Sequence, residues 1–174
     1  FIAVQPPFEI SGECKTVFFL RQSALGKKGS AQERLENIRR LGADASITDL
    51  NYDDAVRLAA SRQEEYGWIL VQDTAWEGYE KIPTWIMQGY TTMALEAAEQ
   101  LGDDRPTHIF LQAGVGALSG GVTGFFADYY KKDKPTIIIV EPNKADCIFR
   151  TAQADDGTIH MVGGDMDTIM AGLA

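Results

Sequence analysis

The sequence has few cysteines and histidines and no long apolar run. Its 174 residues include two cysteines, Cys14 and Cys147, and two histidines. Their spacing fits neither a zinc site nor a disulfide framework, so a cytosolic protein with two reduced thiols is the plainer interpretation, although an internal disulfide stays open. No apolar run approaches the roughly 20 residues that span a membrane, and the first residues lack the basic start of a secretory signal. We therefore expect a cytoplasmic protein without a membrane partner.

Basic residues are also in the minority. The 16 Lys and Arg face 25 Asp and Glu, which gives a net charge of −9. Phosphate neutralisation by a nucleic-acid-binding protein needs clustered Lys and Arg, and the one cluster, 129–134, is typical of a solvated helix end. This balance argues against nucleic acid as a partner. The sequence starts without Met and stops within an apolar pattern, so we expect a fragment of a longer protein.

Strand and helix signals alternate along the chain, which indicates βαβ units, a mostly parallel sheet and helices on both of its faces in three layers. Short runs of β-branched, aromatic and other apolar residues predict strands, and 3.6-residue periodicity predicts helices. The predicted strands are 16–20, 43–48, 68–72, 107–112 and 136–140. The predicted helices are 30–41, 52–66, 83–101 and 119–130. The segment 141–174 is less regular, with a turn at 163–165.

Cap signals accompany the predicted helices. Ser30 and Glu33 have the spacing of a capping box, Asn51 is a predicted N-cap, and Gly102 follows the long helix as a C-terminal glycine. The apolar side of that long helix is predicted from the positions that share one face. They are Ile86, Tyr90, Met93, Ala94, Ala97 and Leu101.

A glycine-rich loop joins the strand at 107–112 to the helix that follows. Glycines at 114, 116, 120 and 121 stand where ligands bind in open α/β sheets, beyond the carboxyl end of a strand. Backbone N–H groups at a helix N-terminus have no intrahelical partner and carry positive potential. Glycine also lets the backbone approach an anion closely. The loop therefore predicts a cradle for an anion, above all for a phosphate.

Several interpretations of this loop stay open. A Walker loop is excluded because no Lys-Ser/Thr pair follows the glycines. A dinucleotide fingerprint fails by one residue, since Ser119 stands where a third glycine is required, but Glu141 ends the next strand and keeps a Rossmann-type nucleotide binder as an alternative. The glycines could also serve only to pack the helix closely against the sheet.

The stretch "QAGVGALSGGVTGFFA" resembles the phosphate-binding loop of fold-type II pyridoxal-phosphate enzymes, the group of the tryptophan synthase β chain. Residues 72–90, "QDTAWEGYEKIPTWIMQGY", together with 28–59, 140–150 and 163–174, are similar to the diaminopropionate ammonia-lyase family. The resemblance implies pyridoxal 5′-phosphate as cofactor, elimination of the β-amino group of 2,3-diaminopropionate to give pyruvate and ammonia, and a homodimer.

The resemblance also implies roles for particular residues. Asp73 would be the catalytic acid at the substrate pocket, binding the distal amine or moving protons, and Trp76 and Tyr79 would wall that pocket. Glu141 would lie near the cofactor. Each has a plainer alternative: a loop aspartate that caps local N–H groups, aromatic rings packed under the loop and a charge at a strand end. The cofactor phosphate would be held by the backbone amides of Gly114, Val115, Gly116, Ala117 and Leu118.

Two parts of the family pattern are missing. The lysine that attaches pyridoxal phosphate has no counterpart at the expected place, because Lys15, Lys27 and Lys28 stand in no such motif. The loop that grips the substrate carboxylate is missing as well, and residues 1–27 match poorly. We therefore expect 1–72 to be a remainder of the small domain and 73–174 a part of the large cofactor-binding domain. On its own this chain would be inactive, and a catalytically inactive remnant or binding domain is the alternative.

Overall fold

The structure is a computed structural model that describes residues 2–5, 15–21, 28–48, 52–163, 168 and 170. The chain forms two compact units, Phe1–Gln72 and Asp73–Ala174, which are described one after the other. The predicted cap Asn51, the thiol of Cys14 and the residues after Gly163 in the predicted turn lie outside the described residues. Within the described part of the chain, no helix has both the length and the apolar character needed to cross a bilayer.

The first unit contains a four-stranded mixed sheet. Its strands are β1 (Ile2–Gln5), β2 (Lys15–Arg21), β3 (Asp44–Thr48) and β4 (Ile69–Val71), in the order β3-β2-β1-β4. β2 and β3 are parallel, as a βαβ unit requires. The sequence does not predict β1, which is antiparallel to both β2 and β4. The connection between β1 and β2 is shorter than the roughly twelve residues that a parallel crossover needs, so antiparallel pairing follows.

Two helices cover this sheet. α1 (Lys28–Arg40) contacts β2 and β3, and α2 (Tyr52–Tyr66) contacts β1, β2 and β4. α1 begins two residues before the predicted cap, so Ser30 lies inside the helix rather than at its start. The Arg39 guanidinium donates to the carbonyl of Ala45 at 3.0 and 2.7 Å and so ties α1 to β3. Among the side chains that the structure describes in this unit, the buried apolar ones are Leu35, Ala45, Ala55, Ala59 and Leu70.

The second unit is built on two parallel strands, β5 (His108–Gln112) and β6 (Thr136–Val140). The unit also contains α3 (Lys81–Leu101), α4 (Ala117–Tyr130), a 3-10 turn at Lys131–Asp133 and α5 (Cys147–Ala154). Gln112 pairs with Val140, and the next amide, that of Ala113, donates to the Val140 carbonyl at 3.0 Å. The two strands therefore end side by side, and the segments that follow them start from neighbouring points.

The core of the second unit lies where α3, α4 and the two strands meet. Its buried residues are Ala94, Ala98, Leu111, Val122 and Phe126. The predicted apolar side of α3 is right for Ala94 but wrong for Met93 and Leu101, which are 47% and 37% exposed. The contact stripe of α3 runs through alanines four residues apart because small side chains let α4 approach.

α3 and α4 approach each other unusually closely at two glycines of α4. A Cβ atom built on Gly121 would lie 2.6 Å from the carbonyl oxygen of Met87, and one on Gly120 would lie 3.1 Å from the Met87 methyl group. Gly124, one turn further along, has no atom within 4 Å of such a Cβ. Only a residue without a side chain fits at Gly121, and this contact fixes the position of the first turns of α4 against α3.

Candidate functional site

The glycine loop turns sharply at Gly116, the residue before α4. Gly116 has φ +99° and ψ −3°, a left-handed conformation that glycine adopts at little cost. Its carbonyl accepts from the amide of Gly120 at 2.7 Å and from the buried hydroxyl of Ser119 at 3.1 Å. A Cβ at Gly116 would lie 3.3 Å from Cδ1 of Ile148. The turn is thus held from within α4, and α4 begins at Ala117, two residues earlier than the periodicity predicts.

This turn leaves a set of backbone donors at the start of α4. In the described part of the chain, the N–H groups of residues 114–118 donate to no acceptor group. The first amides of a helix have no carbonyl one turn earlier to bind, and the helix dipole places positive potential at the same end. The five residues predicted to hold a phosphate therefore supply a compact donor set, with Val115 exposed and the other four half-buried.

Glu141 follows β6 and caps α5. Its Oε1 accepts from the amide of Ile148 at 2.9 Å, and its Oε2 accepts from the amide of Phe149 at 2.8 Å. A carboxylate on the first-turn amides stabilises a helix through both hydrogen bonds and the dipole. The structure therefore gives Glu141 a capping contact that the sequence does not predict.

Cys147 links Glu141 to the glycine loop. Its thiol donates to the carbonyl of Gly114 at 3.2 Å and lies 3.7 Å from Oε1 of Glu141. Burial, and then the negative charge and hydrogen bond of Glu141, raise the pKa of the Cys147 thiol above its ordinary value. The thiol is half-buried and free, and a raised pKa is typical of an unreactive cysteine rather than a nucleophile.

Asp73 is bound by a tyrosine that the sequence does not single out as functional. The hydroxyl of Tyr90, on α3, donates to Oδ2 of Asp73 at 3.3 Å, and both side chains are half-buried. Burial and the Asp73 carboxylate raise the pKa of Tyr90 above its ordinary value, so the phenol stays protonated and remains a donor. No spacing rule connects residues 73 and 90 because an irregular loop separates them.

Trp76 and Tyr79 form a stacked pair at a tight turn. Their ring centroids are 4.4 Å apart with an interplanar angle of 23°, and the amide of Tyr79 donates to the Trp76 carbonyl at 2.8 Å. Gly78 supplies the positive φ of the turn, +85°, and its amide donates to Glu80. Trp76 is 37% exposed, so part of this residue is open to solvent.

The predicted site residues thus fall into three local groups. The loop, Cys147 and Glu141 are in direct contact, Asp73 contacts Tyr90, and Trp76 contacts Tyr79. The Tyr90 group also adjoins α4, because a Cβ on Gly121 would lie 3.4 Å from Cβ of Tyr90.

A cleft of about 700 Å³ lies elsewhere, at the C-terminal ends of α3 and α4, where Gly102, Arg105 and Tyr130 are among its lining residues. α4 has 14 residues and is therefore about 20 Å long, so this cleft stands at the far end of the helix from the glycine loop. Its ionic contact, Arg105 to Asp133 at 3.6 Å, is exposed on both sides. The cleft therefore takes no part in the candidate site.

Parallel strands that end in a glycine loop and a helix N-terminus are typical of α/β proteins that bind a ligand carrying a phosphate. The chain belongs to the family of pyridoxal-phosphate dependent enzymes, whose family profile matches residues 16–174. This confirms the fold class and the family predicted from the sequence.

Particular relatives narrow the comparison. The chain is 58% identical over 150 residues to the diaminopropionate ammonia-lyase of Salmonella typhimurium, covering 84% of this chain and 37% of that protein. Holo diaminopropionate ammonia lyase from Escherichia coli superimposes with a TM-score of 0.78 at 53% identity, over 91% of this chain and 38% of the other. The same E. coli enzyme in complex with an aminoacrylate–PLP azomethine reaction intermediate gives a TM-score of 0.77 at 52% identity, over 91% and 38%. The chain thus spans about 37% of the length of the curated relatives it matches.

Proposed function

We propose that these 174 residues belong to a pyridoxal-phosphate-dependent lyase that eliminates ammonia from 2,3-diaminopropionate and releases pyruvate and a second ammonia. The observation that carries the proposal is the donor set of residues 114–118 at the start of α4, which no acceptor in the described part of the chain occupies. The high identity to diaminopropionate ammonia-lyases supports the substrate.

The residues at the loop fit a phosphate monoester. Backbone amides at a helix N-terminus bind doubly charged phosphate through hydrogen bonds and the helix dipole. Gly116 has no Cβ, and one built there would lie 3.3 Å from Cδ1 of Ile148. The Cys147 thiol holds the carbonyl of Gly114, which leaves the neighbouring amides to the ligand. Gly114, Val115, Gly116, Ala117 and Leu118 would hold the phosphate of the cofactor.

When bound, pyridoxal phosphate supplies an electron sink that makes the α-proton of an amino acid labile. The chain's own contribution to the reaction is Asp73. Its carboxylate would bind the distal ammonium group of the substrate or move a proton at that nitrogen. Tyr90 leaves one oxygen of Asp73 outside its hydrogen bond, so a substrate ammonium can bind there.

Three further residues would surround the cofactor and the substrate. Trp76 and Tyr79 would wall the pocket, since their stacked and partly exposed rings present a flat apolar surface. Glu141 would lie near the cofactor, beside Cys147 and the glycine loop. Its carboxylate oxygens are held there by the first amides of α5.

The lysine that attaches the cofactor would lie outside these 174 residues, since none of the lysines at 15, 27 and 28 stands in the motif of that lysine. The chain alone would then be catalytically inactive. By the same resemblance, the protein would be a homodimer, with its first unit a remainder of the small domain and its second unit part of the large one. A sequence with only two cysteines, read as reduced thiols, favours the cytoplasm.

The test uses the natural full-length protein, whose sequence is obtained by sequencing the gene on both sides of this region. The purified protein should show the visible absorbance of a bound pyridoxal group, lose it on borohydride reduction, and release pyruvate and ammonia from 2,3-diaminopropionate. Bound coenzyme without pyruvate release would favour an inactive binding domain. Retention on an immobilised adenine nucleotide without pyridoxal absorbance would favour a nucleotide binder and refute the proposal.

A further inference from the structure

A contact between α3 and the loop at residue 73 reaches the proposed catalytic carboxylate. The Tyr90 hydroxyl donates to Oδ2 of Asp73 at 3.3 Å, and the phenol remains protonated because burial and that carboxylate both disfavour its anion. A neutral hydroxyl that donates to a carboxylate restricts the rotation of the carboxyl group. Tyr90 therefore limits the positions that the Asp73 oxygens can take.

The same tyrosine lies next to the helix that begins at the glycine loop. Cβ of Tyr90 faces Gly121 at 3.4 Å from an ideal Cβ position, next to the backbone contact between Gly121 and Met87. Gly121 lies about one turn into α4, on the same helix as the amides of residues 117 and 118. Tyr90 thus places its Cβ next to α4 at Gly121 and its hydroxyl on Asp73.

We propose that Tyr90 is a positioning residue, which acts through Asp73 by holding its carboxylate at a set place relative to the N-terminus of α4. This inference rests on the proposed function, since it requires Asp73 to act on the substrate and the start of α4 to hold the cofactor. Proper placement of reacting groups is worth large rate factors, and small displacements lose them.

Tyr90→Phe in the full-length holoenzyme tests this role cleanly. The change removes only the hydroxyl and keeps the ring and the Cβ that lies next to Gly121. We expect kcat/KM for 2,3-diaminopropionate to fall about tenfold, the loss that follows removal of a hydrogen bond to a charged group, with coenzyme affinity unchanged within about twofold. Tyr129→Phe is the matched control, because Tyr129 is exposed on α4 and its hydroxyl has no hydrogen bond within the described residues.

A double-mutant cycle with Asp73→Asn distinguishes positioning from a general structural role. If Tyr90 acts through Asp73, Tyr90→Phe costs about tenfold in the Asp73 background and nothing further in the Asp73→Asn background. Equal losses in both backgrounds, or no loss in the first, would overturn the inference while leaving the proposed function intact. A wild-type protein that binds no pyridoxal group and releases no pyruvate would instead overturn the proposed function, and this inference with it.

Discussion

Replacing Gly121 by alanine tests how α4 is seated on α3. The new Cβ would lie 2.6 Å from the Met87 carbonyl oxygen, a backbone atom that cannot rotate away. Overpacking of this kind costs about 1–3 kcal/mol. Against it stands the gain of about 1 kcal/mol in helix propensity when glycine becomes alanine. The net change in the free energy of unfolding is therefore a loss of about 0–2 kcal/mol.

Two other glycines of α4 provide internal controls. Gly124→Ala adds a methyl group where no atom lies within 4 Å, so it should stabilise by about 1 kcal/mol through propensity alone. Gly120→Ala meets only the flexible Met87 methyl group at 3.1 Å and should resemble Gly124→Ala. The difference between Gly121→Ala and Gly124→Ala cancels the propensity and equals the cost of the contact, about 1–3 kcal/mol.

The assay is urea unfolding of the full-length protein, followed by far-UV circular dichroism at one protein concentration. The expected order of stability is Gly124→Ala and Gly120→Ala above wild type, with Gly121→Ala lowest. Equal stabilities of Gly121→Ala and Gly124→Ala, within about 0.5 kcal/mol, would refute the close backbone approach.

Two further predictions concern the glycine loop. Gly116→Ala forces a side chain into a left-handed conformation, which costs roughly 1–2 kcal/mol, and the new Cβ presses on Ile148. Coenzyme affinity, measured by titration of the apoprotein, should therefore fall about tenfold, whereas the control Gly124→Ala should bind the coenzyme as the wild type does. Unchanged affinity in Gly116→Ala would contradict the phosphate role of the loop. The raised pKa of Cys147 means less thiolate at any given pH, so iodoacetamide should modify Cys147 more slowly than free cysteine at pH 8, as followed by peptide mass spectrometry. Glu141→Gln removes a charge that raises this pKa, so the rate–pH curve of the variant should move to lower pH, and a curve that stays in place would show that Glu141 has no such effect.

The regular elements of this fold are largely predictable from the sequence. Helix signals predict α2 at 52–66, and an apolar run predicts β6 at 136–140. Both predictions have the bounds that the structure has. These elements carry local signals: an amphipathic stripe in one case and a continuous β-branched run in the other. α5 is missed because it has only eight residues and because Glu141, outside the helix, binds its first amides.

The candidate site is predictable from the sequence only where the residues that form it are close together in the chain. The glycines of residues 114–121 predict a turn between a strand and a helix, and the structure gives Gly116 a positive φ and Gly121 no room for a Cβ. The Tyr90–Asp73 hydrogen bond joins residues 17 apart, and its geometry depends on the path of the loop between them. The contact between Cys147 and Gly114 depends on the parallel register of β5 and β6, which no short stretch of sequence encodes.

The stacked pair of Trp76 and Tyr79 allows the loop at 73–80 to be followed by tryptophan fluorescence. An indole that is 37% exposed and lies on a phenol ring emits in a way that depends on water and on the ring beside it. A molecule that settles against this indole displaces water and changes its emission. The difference in fluorescence between the wild type and Trp76→Phe, which keeps Trp68 and Trp85, therefore reports on this loop without a label.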